Sequence, residues 1–344
     1  MKHPVLLSIY NRFTSLAEKL PGGLQKPILR EMTPIRELFL EQRPPRILLA
    51  GSARSSVPQI LSGLGVGSVE TGSSDNGWRT YRAGTRGSFE ILDARNDVPD
   101  DHVRAGLARF QPDLILIFPP ADETPDTWTT TVTRISGPCA PIAAIAAAGN
   151  EACHLQALLA SETTLAPRIL PVPESASPAC VEALCEALPL PARLEFARTT
   201  GAKGAQAQIA SSILGSFSAI CGIIAVQPIP LADMPILTTI RTLMVGLIIH
   251  TSGRTFTLRL AAEFAGAMGI NIGAGFLLRE GARALVKVIP FWGNAISGFV
   301  AGTGTYAIGR AAIAYFIDDA PAREARKILL HFRSKKALKA PPFS

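Results

Sequence analysis

The stretch Arg46-Ile-Leu-Leu-Ala-Gly51-Ser-Ala-Arg-Ser-Ser56-Val-Pro-Gln-Ile-Leu-Ser-Gly-Leu64 decides the fold. A short continuous apolar run, Ile47 to Ala50, is the signature of a strand buried on both faces. Gly51 follows at once, and a polar turn then leads into a segment with helical spacing. The stretch therefore reads as strand, glycine turn, helix. Such a unit belongs in a parallel sheet with helices on its faces.

Outward from it, further apolar runs recur at Phe89 to Leu92, Asp113 to Phe118, Ile142 to Ile145 and Ile169 to Val172, with helix-compatible segments such as Val103 to Phe110 between them. This alternation predicts a doubly wound α/β domain over residues 44–192. The polar, glycine-rich stretch from Gly67 to Gly87 reads as a loop or hairpin. Residues 1–43 carry amphipathic spacing (Leu6, Ile9, Phe13, Leu16, then Ile28, Met32, Ile35, Leu38) divided at Pro21-Gly22-Gly23. They predict a helical arm packed on the domain that follows, closed by Pro44 and Pro45.

The second half has a different character. No charge falls between Lys203 and Asp233, and Ile209 to Val226 is long enough to cross a bilayer. Weaker apolar stretches follow at Pro235 to Ile249, Phe264 to Leu278 and Val288 to Gly309, with Gly-x-x-x-Gly spacings at Gly269/Gly273 and Gly298/Gly302. An all-α, apolar, Gly/Ala-rich domain is expected over 193–320, then a basic tail over 321–344. Asp233 reads as a cap of the helix that follows it. Arg193, Arg198 and Lys203 lie before the apolar half, and eight Lys and Arg between Arg310 and Lys339 lie after it. If the half spans, this asymmetry places both ends in the cytoplasm and requires two or four crossings.

Composition agrees with that division. Hydrophobic residues make up 47% and charged residues 18%, with mean hydropathy +0.25, more apolar than a usual soluble domain. The net charge of +7 suits anionic lipid, nucleic acid or plain solubility. No interleaving of aromatic and basic residues suggests nucleic-acid binding. Five cysteines without C-x-x-C spacing exclude a disulfide framework or a zinc site as an expectation, and five scattered histidines add no metal-ligand pair. The start of the chain does not read as a cleaved signal peptide.

The chemistry lies in what the turn after β-type residues 47–50 lacks. A phosphate-binding loop uses glycine N–H groups, a lysine and a Ser/Thr for magnesium. The layout here resembles the loop and helix of Era-like GTPases in frame, and is similar over most of the chain to bacterial proteins that join such a domain to a hydrophobic YcjF-like domain. That wider resemblance rests on the Arg43-Pro-Pro-Arg46 lead-in and on the words Pro228-Ile-Pro-Leu-Ala-Asp233, Ile289-Pro-Phe-Trp-Gly and Ala301-Gly-Thr-Gly-Thr-Tyr to Phe316. In the GTPase frame Gly51 keeps the first glycine, Ser56 stands for the second, Val57 for the lysine and Pro58 for the magnesium-binding hydroxyl. Valine brings no charge, and proline neither hydroxyl nor N–H. Asp93 survives from the Asp-x-x-Gly element, but Asn96 replaces its glycine. Ala147-Ala-Gly-Asn150 stands where the guanine reader belongs, and Glu174-Ser-Ala176 is a remnant of the last element. A Rossmann-like or flavodoxin-like domain in which Gly51 merely makes a βα turn is the competing reading.

The resemblance thus implies a degenerate member, a membrane-associated pseudo-GTPase acting as a protein-binding scaffold or regulator. Its place would be the cytoplasmic face of the bacterial inner membrane, integral or tightly peripheral. Gly51, Ser52, Arg54, Ser55, Ser56 and Asp93 form its vestigial phosphate loop, with no catalytic residue, no metal and no cofactor expected. GTP enters only if Arg54 replaces the lysine in a divergent but active GTPase, and a transport or remodelling component is a third class. The expected partners are an unidentified protein, the membrane (helices within 204–309 and basic tail 321–339) and further copies of the chain, with no nucleic acid.

Overall fold

A computed structural model describes residues 4–18, 20, 22–51, 55–75, 77–95, 100–118, 143–145, 169–171, 178–225, 233–268 and 297–333. The chain divides into two compact units. One is Glu41–Ala205; the other joins Met1–Leu40 to Gln206–Ser344.

The first unit is α/β. Its elements are β1 (Arg46–Gly51), α3 (Val57–Gly63), β2 (Glu70–Asp75), β3 (Trp78–Ala83), β4 (Gly87–Arg95), α4 (Asp100–Arg109), β5 (Leu114–Phe118), β6 (Ala143–Ile145), β7 (Ile169–Pro171), α5 (Pro178–Ala187) and α6 (Leu190–Thr200). Five longer strands and two of three residues form one mixed sheet in the order β2-β3-β4-β1-β5-β6-β7. From β4 to β7 every pairing is parallel, whereas β2 and β3 run antiparallel as an edge hairpin. Ile47, Leu48 and Leu49 are successive in β1 and all fully buried. Side chains alternate along a strand, so both faces of the sheet are covered.

The covering helices can be placed by register. Phe89 and Leu92 lie three apart on β4 and so point to opposite faces. Phe89 meets Phe196 of α6 edge-on at 6.0 Å between ring centres. On the other face Trp78, paired with Leu92, donates its indole N–H to the Gly106 carbonyl of α4 at 2.9 Å. Helices therefore lie on both faces, as expected. The segment Gly67–Gly87 holds the hairpin; its outer strand, Glu-Thr-Gly-Ser-Ser-Asp, is almost wholly exposed, so it carries no apolar signal.

The edge formed by the strand beginnings is held by charge. Arg43 grips the Asp113 carboxylate with two hydrogen bonds of 2.5 and 2.6 Å, and the Arg46 N–H adds a third at 2.9 Å. That carboxylate pushes the Arg43 pKa above the ordinary arginine value. Arg46 pairs with Glu90 at 2.9 Å while its guanidinium lies 3.8 Å from the centre of the Phe110 ring. Both arginines of the Arg43-Pro-Pro-Arg46 lead-in thus tie the segment entering the sheet to β4 and β5. On the same unit, buried Glu195 of α6 accepts from the Ser88 N–H at 3.1 Å and from Gln42, and sits 3.5 Å from the buried Arg198 guanidinium.

The second unit is helical: α1 (Pro4–Ala17), α2 (Gly22–Phe39), α8 (Asp233–Thr251), α9 (Leu258–Ala267), α10 (Ser297–Phe316), α11 (Ala322–Arg333) and most of α7 (Lys203–Ala225). The division of the chain differs from the expected one. The N-terminal arm belongs to this unit rather than forming a layer of the domain that follows it. Its α1 packs on α8, where fully buried Leu6 fills the space left by the absent side chain of Gly246, and Phe39 packs against the His250 ring at 5.9 Å. Burying an amphipathic face needs a partner surface, and the partner lies more than two hundred residues away. The basic tail begins as a helix: α11 packs on α10 and buries Ala325 and Leu329. The boundary expected after residue 192 also shifts, since α6 belongs with the sheet and the division falls after Ala205.

Of the apolar stretches, Ile209 to Ala225 falls in α7 and Pro235 to Ile249 in α8, which begins at Asp233, while Val226 lies outside the described residues. Among the described residues one segment, Lys203–Ile224, is long and apolar enough to cross a membrane by length and composition, with mean hydropathy 1.6. Gly302 of α10 comes so close to α7 that an added Cβ would lie 3.2 Å from the Ser218 carbonyl oxygen. Small residues permit that backbone approach. Gly269, Gly273 and the Ile289-Pro-Phe-Trp-Gly word lie outside the described residues.

Candidate functional site

In an open α/β sheet the crevice for ligands opens beyond the carboxyl ends of the strands, where the strand order reverses. Here that point is β1, with β4 on one side and β5 on the other. The register sets Gly51, Arg95 and Phe118 abreast at its rim. The first residue of the sequence-predicted loop therefore lies where a nucleotide site would form.

Gly51 has a local reason to be glycine. Its φ of +94° falls in the region that L side chains avoid, and a Cβ there would sit 2.0 Å from the Phe118 carbonyl oxygen. The close approach of β5 alone requires glycine. Its retention needs no phosphate.

After the turn, α3 is only seven residues long. Its N-cap, Ser56, donates both its N–H and its hydroxyl to the Gln59 side-chain oxygen, at 2.8 and 3.0 Å. Two donors at the helix start are thereby satisfied within the helix itself. Val57, in the lysine position, is 7% exposed and part of the core, and Pro58 removes another N–H from the first turn. Ser52 and Arg54 lie outside the described residues, as do Asn96, Ala147 to Asn150 and Glu174 to Ala176.

Asp93, the surviving carboxylate, is engaged by a residue that sequence reasoning passed over. Arg95 Nε donates to Asp93 Oδ1 at 2.7 Å and Nη2 to Oδ2 at 2.8 Å. Its remaining nitrogen, Nη1, donates to the Ser55 carbonyl oxygen at 2.6 Å. The guanidinium is 5.6 Å from the centre of the Phe118 ring, and the Arg95 side chain is only 4% exposed. A buried arginine must be paired to be tolerated, and this one is paired by a fork-to-carboxylate bridge, the strongest geometry open to it. The signal was present: residues two apart on a strand share a face, so Asp93 and Arg95 were bound to be neighbours.

Of the predicted loop, the structure brings Ser55 and Asp93 together through Arg95, and places Gly51 beside them at the same rim. Chemically the arrangement is closed on itself. The Asp93 carboxylate, which the resemblance would set near magnesium, faces the Arg95 cation, and that cation holds the Ser55 carbonyl. Among the described residues no three His, Cys, Asp or Glu side chains gather as a metal-binding group. Among the described residues Cys185 is buried in α5, its thiol pushed up by burial to about 12. No protein-family model matches the sequence, and a search of the curated proteins finds no match.

Proposed function

We propose that this protein is a membrane-associated pseudo-GTPase, a scaffold or regulator whose α/β unit presents a fixed protein-binding surface and whose helical unit anchors it at the cytoplasmic face of a bacterial membrane. The observation that carries the reading is the bidentate Arg95–Asp93 bridge with its third donor on Ser55. It ties the rim of the switch point to the loop through the chain's own side chains. The strand order around β1 supports a GTPase-like frame, and Val57, Pro58 and the seven-residue α3 argue against orthodox Mg-GTP binding in that frame. Segment Lys203–Ile224 and the helix-to-helix approach at Gly302 support membrane association.

A thermal-unfolding comparison of the full chain tests this. A ligand at about a hundred times its Kd stabilises the state that binds it by about 2.7 kcal/mol. Saturating Mg-GTP is expected to leave the α/β transition where it is. A shift of several degrees that Arg54→Ala abolishes would replace the scaffold by a divergent nucleotide hydrolase.

A further inference from the structure

Helix α11 has two unlike faces. Ala325 and Leu329 are buried, and the helix packs on α10 and meets α9. Arg323, Arg326, Lys327 and Leu330 are all exposed. Their spacing of three, four and seven residues puts them on one stripe. Leu330, 48% exposed, is one of three large apolar side chains left open to solvent among the described residues, and it falls between the cations in angle around the helix. Glu324, also exposed, lies about a quarter-turn from the stripe.

The charge of the whole chain is sorted in the same sense. The helical unit carries 20 Lys and Arg against 9 Asp and Glu, net +11, whereas the α/β unit carries 14 against 18, net −4. All of the positive excess belongs to the unit that also contains the apolar helices. Beyond α11 the sequence continues with Lys335, Lys336 and Lys339.

We infer that the exposed face of α11 docks on the surface of an anionic membrane, with Arg323, Arg326 and Lys327 on lipid phosphates and Leu330 entering the boundary between headgroups and acyl chains. This rests on the membrane reading above and names its lipid class and its contact residues. Clustered Lys and Arg are drawn to anionic lipid, and an exposed leucine among them adds apolar area that can enter the boundary between headgroups and acyl chains. A nucleic-acid phosphate backbone would use the same cations but would gain nothing from a central leucine, and the stripe offers no aromatic ring on which a base could stack.

Co-flotation of the full-length protein with vesicles tests the assignment, using phosphatidylcholine alone and an equal mixture of phosphatidylcholine and phosphatidylglycerol. The wild-type protein is expected to prefer the anionic vesicles and to lose that preference in high salt. Each cation near such a surface contributes about fivefold in binding, so the triple change Arg323→Gln, Arg326→Gln and Lys327→Gln should weaken anionic binding by roughly a hundredfold. Binding to neutral vesicles should be unchanged by the triple change and reduced by Leu330→Ser. Equal wild-type binding to both vesicles at low and high salt would overturn the α11 assignment while leaving membrane association standing, and needs no variant. Failure to bind either vesicle would remove both. Retention on duplex DNA that matches the anionic vesicles and ignores Leu330→Ser would give the face to nucleic acid instead.

Discussion

Arg95 and Asp93, two residues apart on β4, form a closed fork at the rim of the sheet, and the same guanidinium reaches across to the Ser55 carbonyl. In this one side chain the end of β4 and the start of the loop helix are joined. Replacing it with alanine leaves Asp93 with solvent, which its 42% exposed side chain can use, but leaves the Ser55 carbonyl without that donor. Arg95→Ala should therefore destabilise the α/β unit by about 1–3 kcal/mol, read by urea denaturation. It should not create nucleotide binding, because Val57 and Pro58 are untouched.

Gly51→Ala tests whether the glycine serves the sheet. The new Cβ would overlap the Phe118 carbonyl oxygen and sit at an unfavourable φ. A loss of about 3 kcal/mol or more is expected, or failure to fold. A variant within about 1 kcal/mol of wild type would mean that β5 yields readily, and that some other demand keeps the glycine.

Glu195 and Arg198 are 6% and 7% exposed, and burial lowers the Arg198 pKa while Glu195 opposes that shift. Glu195→Ala takes a carboxylate from a buried guanidinium and an acceptor from Ser88 and Gln42. Removing one partner of such a buried pair costs about 3–5 kcal/mol. Glu195→Gln keeps an acceptor and should lose less, a ranking that parallel denaturation curves would check.

Cys185 is fully buried, and its thiol pKa is raised by desolvation from an ordinary 9.0 to about 12. A thiol whose folded pKa is raised contributes stability that is whole below about pH 9, where the unfolded chain begins to ionise, and is lost as pH rises towards 12. Cys185→Ala should flatten the fall of stability with pH across that window. In the native protein at pH 8, maleimide should spare Cys185 and label it once denaturant is added, as mass spectrometry of the peptides would show.

The parts of this fold that were legible are those whose burial is written locally. Ile47 to Ala50 and Leu114 to Phe118 are apolar without interruption, and Phe89 to Leu92 is broken only by Glu90, which pairs with Arg46, because both faces of this part of the sheet are covered. The outer hairpin strand carries Ser and Asp because it faces water, so it reads as loop; Trp78, Tyr81 and Ala83 carried its partner's signal more faintly. The arm was legible as amphipathic helix, but an apolar face does not say what will cover it, and Leu6 meets Gly246 only in three dimensions. At the site, Gly51 and Asp93 were singled out by a resemblance to a GTPase motif. Arg95 was missed because the motif has no place for it, although strand periodicity alone makes it Asp93's neighbour.

The most direct test is an isothermal titration of the purified full-length protein with GTP, with and without magnesium. The closed Arg95–Asp93 bridge and the buried Val57 predict no magnesium-dependent heat of binding at micromolar to millimolar GTP. Saturable, magnesium-dependent binding with a micromolar Kd would contradict the account of the loop and make the domain a working nucleotide site.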